Sequence, residues 1–263
     1  MSSAAEEFVI YQIMNGSIRE YPYPHLYISP IFPHDFYADL RRCWPSDECF
    51  RTLSSLGRVK AGTYDDRRVI PIESGVADKF LQDHQVFWRE FIGWLMGKRL
   101  MTAVLTKFAP YVDSLSEERH ERLALDGLIV RDGSNYGIGP HMDRLERIMS
   151  LLFYCPESNE FSHLGTTIYR PENLDLSYKK GVHYSCYNEF NKISTMPYIP
   201  NSLFAFINTD NAFHGVEKIQ DKGVVRDLIL YDIQQLPQEN EREETHTLQQ
   251  SFVEKALSRL MRF

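Results

Sequence analysis

The first third of the chain has an apolar pattern with the period of an α-helix. From Phe80 onward, apolar side chains recur every three or four residues, which places them on one face of a helix. A shorter helix begins after Pro33 and ends before Pro45, because proline is not tolerated inside a helix. We also predict an amphipathic helix over residues 248–261. The apolar stripe of the longest pattern consists of Phe80, Leu81, Phe87, Trp88, Phe91, Ile92 and Leu95.

Between residues 123 and 233 the pattern changes to short apolar runs. Clusters of Gly, Pro, Asn and Asp separate the runs, and several short strands at this spacing are typical of an antiparallel sandwich or barrel. We therefore predict a mainly β fold with flanking helices, an α+β arrangement in which the helices pack outside a β-core. The runs lie at 125–130, 149–154, 166–169, 202–207 and 228–233.

The composition is that of one globular domain. The chain has 263 residues, of which 43% are hydrophobic and 25% charged, so it can bury a sizeable core. Acidic residues outnumber basic ones by 36 to 29, and the net charge of −7 argues against nucleic acid as a partner. No apolar stretch reaches the roughly 20 residues that span a bilayer, so we expect no membrane partner.

The amino-terminal residues and the cysteines bear on location. Glu6 and Glu7 stand where a secretory signal would carry basic residues, and no long apolar run follows. The cysteines are scattered without a Cys-x-x-Cys pair, which argues against a zinc finger. We expect a cytoplasmic protein whose cysteines, at positions 43, 49, 155 and 186, are free thiols.

One segment of the predicted β-core carries candidate metal ligands. In Gly139-Pro140-His141-Met142-Asp143, the side chains of His141 and Asp143 project the same way from an extended backbone. A third candidate, His214, follows the apolar run 202–207. Two imidazoles and one carboxylate on one face of a metal suit non-haem Fe(II), because the other positions stay open. Taken alone, the His-x-Asp spacing favours a surface turn, since the chain has nine histidines and chance pairs are common.

Arg226 opens the last apolar run and shares one face of the predicted strand with Leu228 and Leu230. If that face is interior, the guanidinium needs an anionic partner, because an unpaired buried charge is costly. The far carboxylate of a dicarboxylate cosubstrate would accept hydrogen bonds from it in bidentate fashion. An ordinary ion pair with a neighbour such as Glu217 would satisfy it as well.

These segments together resemble the iron and 2-oxoglutarate motif of the Fe(II)/2-oxoglutarate-dependent oxygenases, particularly their prolyl-hydroxylase-like branch. The similarity covers about 125–233 and implies a double-stranded β-helix core of the jelly-roll or cupin-like kind. We predict a single oxygenase domain over 1–263, with a helical support region at 1–122, the core at 123–235, and a polar connector and C-terminal helix at 236–263. The segments that carry the resemblance are Gly139-Pro140-His141-Met142-Asp143, His214-Gly215-Val216 and Arg226, with Asn201-Ser202-Leu203-Phe204-Ala205-Phe206 before the second histidine.

The resemblance also implies roles for single residues. It implies that His141, Asp143 and His214 hold Fe(II) and that Arg226 binds 2-oxoglutarate. Tyr154 ends the run Leu151-Leu152-Phe153-Tyr154, where this branch has a tyrosine whose hydroxyl meets the cosubstrate carboxylate. The turn Leu164-Gly165-Thr166-Thr167 is similar to the Gly-Gly-Glu-Thr turn of the branch but lacks its second Gly and its Glu.

The activity implied by the resemblance is hydroxylation of a C–H bond with dioxygen as oxidant and with release of succinate and CO2. The acidic charge balance and the lack of a nucleic-acid module favour a small-molecule substrate, such as an amino acid, a sugar or another biosynthetic metabolite. Hydroxylation of a protein side chain, as by a prolyl hydroxylase, is the alternative. A non-catalytic jelly-roll binding module and a hydrolytic zinc site are further alternatives.

Four basic residues are candidates for substrate binding. Arg67 and Arg68 lie in a predicted loop outside the barrel, from which charged side chains can reach across its opening. Arg131 is a third candidate for contact with a substrate. His183 lies in the basic and aromatic segment Lys179-Lys180-Gly181-Val182-His183-Tyr184, which could line the mouth of the site. A solvated loop is the simpler interpretation of that segment.

Overall fold

The computed structural model describes residues 2–112, 123–173, 178–184 and 187–236. The predicted connector and C-terminal helix from residue 237 onward, like Cys186, lie outside the described residues. Within these ranges no helix is both long and apolar enough to cross a membrane. The helices are α1 Ser2–Asn15, α2 His34–Arg42, α3 Gln85–Leu95 and α4 Lys98–Phe108. The strands are β1 His25–Ile28, β2 Arg51–Thr52, β3 Arg67–Pro71, β4 Leu123–Asp132, β5 Ile138–His141, β6 Arg147–Tyr154, β7 Thr167–Pro171, β8 Phe190–Thr195, β9 Ser202–Ile207, β10 His214–Val216 and β11 Arg226–Gln235.

The strands form two antiparallel sheets. The large sheet has seven strands in the order β1-β9-β6-β11-β4-β3-β2, and the small sheet has four in the order β5-β10-β7-β8. Strands that follow one another in the chain alternate between the sheets from β4 to β7 and from β9 to β11, which is the winding of a double-stranded β-helix. The predicted fold, a jelly-roll core with flanking helices, is confirmed.

Successive side chains along a strand of the large sheet point to opposite faces, and the two faces pack against different parts of the protein. On β11, Leu228 packs between the two sheets with Ile168 of the small sheet, whereas the next residue, Ile229, belongs to the core shared with the helices. Trp88 of α3 and Val104 of α4 are fully buried in that outer core. The helices therefore cover the outer face of the large sheet, and the inner face is left for the space between the sheets.

The first third carries strands as well as the predicted helices. β1 pairs with β9, and β3 pairs with β4, so the large sheet extends beyond the predicted core at 123–235. The stripe from Phe80 becomes helical only at Gln85, because residues 82–84 form a turn before the helix begins. Strand β3 brings Arg67 and Arg68 into the large sheet, whereas the sequence predicted that they lie in a loop.

Candidate active site

The structure brings together the three candidate metal ligands. His141 ends β5 and His214 begins β10, and the two are paired directly across the small sheet. Gly215 permits this close approach, since a Cβ there would lie 2.6 Å from the carbonyl oxygen of Ile138. Asp143 follows β5 by two residues. One ligand atom from each of His141, Asp143 and His214 lies within 4.8 Å of the other two, and all three residues are buried.

Hydrogen bonds fix how the two imidazoles face the carboxylate. Nδ1 of His141 lies 3.0 Å from the carbonyl oxygen of Gly139, and Nδ1 of His214 lies 3.0 Å from that of Ala212. A neutral imidazole that donates from Nδ1 presents the lone pair of Nε2 to a metal. Nε2 of His141 is 4.0 Å from one oxygen of Asp143, and Nε2 of His214 is 3.8 Å from the other. These separations are too long for hydrogen bonds, so the donor atoms surround a gap.

The protonation states suit metal binding. Burial lowers the pKa of His141 well below its usual value, and the nearby His214 lowers it further. Burial also lowers the pKa of His214. Burial opposes ionisation of Asp143, but Arg147 and then the histidines hold the pKa of Asp143 below its usual range. Neutral imidazoles and an ionised carboxylate are the forms that bind a divalent cation, and this donor set fits Fe(II).

A cavity of about 540 Å³ opens from the three ligands between the sheets. At one end, the fully buried Arg226 donates from Nη1 to Asp132 at 2.7 Å and from Nε to the carbonyl of Leu164 at 2.7 Å. Arg67 holds the same carboxylate in a bidentate pair of 2.6 and 2.9 Å. We call Arg67, Asp132 and Arg226 the basic end, because two guanidinium groups share one carboxylate there.

At the other end of the inner face, carboxylates predominate. Asp126 on β4 and Asp232 on β11 lie directly opposite each other. Arg58 makes a bidentate pair with Asp126, and Arg147 spans Asp143 and Asp232. Burial raises the pKa of Asp232 to about 7, although Arg147 opposes the shift. We call Arg58, Asp126, Asp143, Arg147 and Asp232 the acidic end, since three carboxylates share two guanidinium groups.

Tyr154, the second predicted cosubstrate contact, lies behind the cavity wall. Its hydroxyl donates to the Thr166 hydroxyl at 2.8 Å and accepts from the Thr166 backbone N–H at 3.1 Å. Thr166 lines the cavity and Tyr154 does not. The Tyr154 ring instead supports Arg226, whose guanidinium carbon is 5.4 Å from the ring centre.

The structure does not bring Arg68 and Arg131 to the cavity. Neighbouring residues of a strand point to opposite faces, so Arg67 on β3 faces inward and Arg68 outward. Arg68 pairs with Asp47, and Arg131 pairs with Asp227 on the outer face. These two arginines are held in ion pairs on the outer face of the large sheet and do not line the cavity, so the structure gives no support to the prediction that they meet a substrate there.

His183 lies at the cavity wall, although a solvated loop was the simpler interpretation of its segment. It forms an isolated β-bridge with His141, and the two ring centres are 4.5 Å apart. The outer side of His183 meets Tyr64, at 5.7 Å between ring centres. His183 therefore covers one side of a candidate ligand without itself joining the three-residue cluster.

Several residues of this site were not found from the sequence. The partner of Arg226 is Asp132, whereas Glu217 pairs with Lys192 at the surface. Alternation from Leu128 along β4 would have placed Asp132 on the inner face, so that residue could have been found. The pairing of Arg147 with Asp232 depends on the register of β6 against β11, for which the sequence carries no local signal.

The double-stranded β-helix and the cluster of two histidines and one aspartate confirm the resemblance to the Fe(II)/2-oxoglutarate-dependent oxygenases. Neither a family model nor a curated protein matches the chain.

Solved structures do match. A prolyl-4-hydroxylase from Pseudomonas putida is similar at 15% identity, with a TM-score of 0.45 over 90% of this chain and 100% of that one. A prolyl hydroxylase from Trichoplax adhaerens, in complex with a peptide of hypoxia inducible factor, is similar at 14% identity, with a TM-score of 0.49 over 88% and 89%. The carbocyclase SnoK from nogalamycin biosynthesis is similar at 11% identity, with a TM-score of 0.48 over 89% and 84%.

Proposed function

We propose that this chain is an Fe(II)/2-oxoglutarate-dependent dioxygenase that hydroxylates a C–H bond of a small-molecule substrate. The observation that carries the proposal is that His141, Asp143 and His214 converge in the same cavity as a buried basic end. A metal-binding group alone would suit many reactions. An anionic cosubstrate next to the metal would in addition match the unbalanced guanidinium charge of the basic end.

In this proposal His141, Asp143 and His214 hold Fe(II), and the Nδ1 hydrogen bonds of the histidines orient both imidazoles. When bound, iron with 2-oxoglutarate and dioxygen supplies the oxidation: one oxygen atom enters the substrate C–H bond as hydroxyl, and the other enters succinate as CO2 leaves. The basic end binds the far carboxylate of 2-oxoglutarate. Its net charge of +1 matches one carboxylate, and Thr166 offers a hydroxyl beside Arg226.

Arg67 belongs with the cosubstrate rather than the substrate in this arrangement. Its guanidinium shares Asp132 with Arg226 and lies over the ring of Tyr136, 4.2 Å from the ring centre. The pairing fixes the guanidinium plane, which leaves its remaining N–H groups to donate to an incoming carboxylate. Without Arg67, the pair formed by Asp132 and Arg226 would be neutral and would attract an anion less strongly.

The cavity supports a small polar substrate. A volume of about 540 Å³ falls within the usual range of small-molecule sites. The segment between β2 and β3 contributes Leu53, Arg58 and Val59 to the wall. Arg144 and Glu146 add one charge of each sign, next to apolar side chains of the inner face. A wall of this kind suits a compact molecule with several hydrogen-bonding groups.

The test begins with binding. Under anaerobic conditions, Fe(II) and 2-oxoglutarate are added to the protein, and a weak visible charge-transfer band is expected. The His141→Ala variant should lack the band. If the wild-type protein develops no band and does not retain iron, the proposal is wrong.

Turnover then addresses the substrate class. The iron-loaded protein is given oxygen, 2-oxoglutarate and a library of amino acids, sugars and other metabolites, with a matched library of short peptides alongside. Succinate release stimulated by a metabolite supports the proposal. Stimulation by peptides alone would instead indicate a protein side-chain hydroxylase, and hydrolysis with Zn²⁺ in the absence of oxygen would indicate a hydrolase.

A further inference from the structure

The three candidate ligands are not held in place by the same means. His141 and His214 belong to strands of the small sheet and are fixed by their direct backbone pairing. Asp143 belongs to no strand, since β5 ends at His141 and β6 begins at Arg147. The backbone alone therefore leaves the direction of the Asp143 carboxylate open, and side chains must set it.

Two side chains of β6 hold that carboxylate. Nη1 of Arg147 donates to Oδ1 of Asp143 at 2.8 Å, and Oγ of Ser150 donates to Oδ2 at 2.9 Å. Both oxygens are thus engaged from one side, while His141 and His214 face them from the other. Since β6 lies in the large sheet, the third candidate ligand is tied to the sheet opposite the histidines.

Arg147 is itself held by a second carboxylate. Its Nη2 lies 2.8 Å from Oδ2 of Asp232, which is 1% exposed. Asp232 lies directly opposite Ser150 across β11 and β6, so its position is fixed by sheet register. A planar guanidinium that bridges two carboxylates has its orientation determined, which a lysine ammonium cannot reproduce.

We propose that Arg147 is a positioning residue for the metal centre: supported by Asp232, it holds the carboxylate of Asp143 toward His141 and His214 before the ion arrives. The inference rests on the proposed function, because it assumes that these three residues bind a divalent metal. Hydrogen-bond partners of metal ligands commonly contribute 10- to 100-fold to metal affinity. Arg147 also lines the cavity, so the test must separate positioning from contact with a substrate.

The experiment uses Co(II) as the probe, in the absence of substrate and cosubstrate. Arg147→Lys keeps the charge but loses the fork, and Asp232→Asn keeps Arg147 but weakens its support. Arg68→Lys is the matched control, since Arg68 makes a bidentate pair with Asp47 on the outer face of the large sheet and does not line the cavity. Dissociation constants come from anaerobic titration, and the visible d–d bands of bound Co(II) report the ligand arrangement. Thermal denaturation shows whether each variant is folded.

Arg147→Lys is expected to weaken Co(II) binding about 10-fold and to shift the bands. Asp232→Asn should weaken Co(II) binding by a smaller factor and shift the bands in the same direction. Arg68→Lys should change neither the affinity for Co(II) nor the bands. If Arg147→Lys does not fold, the Asp232→Asn measurement decides.

Wild-type affinity and bands in a folded Arg147→Lys protein would overturn the inference and leave the proposed function intact. Failure of the wild-type protein to bind Co(II) or Fe(II) would overturn the proposed function itself.

Discussion

The two ends of the inner sheet face are built from the same two strands but carry opposite excess charge. At the basic end, β11 contributes Arg226 and β4 contributes Asp132, directly opposite each other. At the acidic end, the same strands contribute Asp232 and Asp126, again directly opposite. Arginines from neighbouring segments then determine the sign of the excess charge at each end. Arg67 gives the first pair a surplus cation, whereas Arg58 and Arg147 leave the second group, which includes Asp143, with one more carboxyl group than guanidinium groups.

The difference teaches how one sheet can prepare for two kinds of ligand. The pairs are six residues apart on each strand, about 20 Å at the usual rise, and the inward-facing residues between them on β11 are Leu228 and Leu230. A separation of this length weakens the electrostatic compensation of one end by the other, because the interaction between charges falls with distance. The basic end therefore suits a carboxylate, and the acidic end next to the histidines suits a divalent cation.

The largest effect is expected from removing a carboxylate at the acidic end. Asp143→Ala should weaken Fe(II) binding by more than about 100-fold, the upper limit for residues that only orient a ligand. Metal content after dialysis and succinate formation measure the loss. Asp221→Ala removes a carboxylate whose partner is the exposed His163 and should retain the metal. If the Asp143→Ala protein keeps its iron, the acidic end is not the metal-binding end, and the comparison between the two ends fails.

Breaking the basic end should affect the cosubstrate and spare the metal. In Arg226→Met, Asp132 keeps only Arg67, so the end becomes neutral. Truncating one partner of a buried hydrogen-bonded charge pair costs about 2–5 kcal/mol, so we expect the KM for 2-oxoglutarate to rise by about 100-fold. Titration with Mn(II) should give the wild-type dissociation constant. A changed metal affinity with unchanged KM would reverse the assignment of the two ends.

A smaller effect should separate two neighbouring arginines of β3. Arg67→Met removes the surplus cation but leaves Arg226 in place, so the KM for 2-oxoglutarate should rise about 10-fold, as expected for one charge-assisted hydrogen bond. Arg68→Met changes a side chain on the outer face, paired with Asp47, and should leave the KM unchanged. Equal effects of both substitutions would mean that net charge, and not the basic end, controls cosubstrate binding.

The smallest effect concerns pH and the metal-free protein. Burial lowers the pKa of His141 and of His214, so the folded state favours their neutral forms. Their stabilising contribution is complete above the usual pKa of about 6.5 and decreases as the pH falls below it. Urea unfolding at pH 7 and pH 5 should show a smaller decrease in the free energy of unfolding for His214→Gln than for wild type. Identical decreases would show that His214 does not titrate in this way.

The sequence predicted the parts of this molecule that depend on local pattern. Short apolar runs predicted the strands of the core, and the His-x-Asp segment with His214 predicted the ligand cluster. The strand β1 was missed because four residues between prolines give too short a pattern. Arg67 and Arg68 were assigned the same role, although alternation places them on opposite faces once β3 is known to be a strand. The contact between Arg147 and Asp232 joins distant segments, and only the register of the folded sheet determines it.

The separate origins of the three ligands have a thermodynamic consequence. Two imidazoles come from one wall of the sandwich, and the carboxylate is tethered to the other, so an ion bound by all three would cross-link the walls. Unfolding that parts the walls would then require the ion to dissociate, and the free energy of binding would add to the resistance of the whole domain to denaturation. Metal occupancy and global stability would thus be linked quantities.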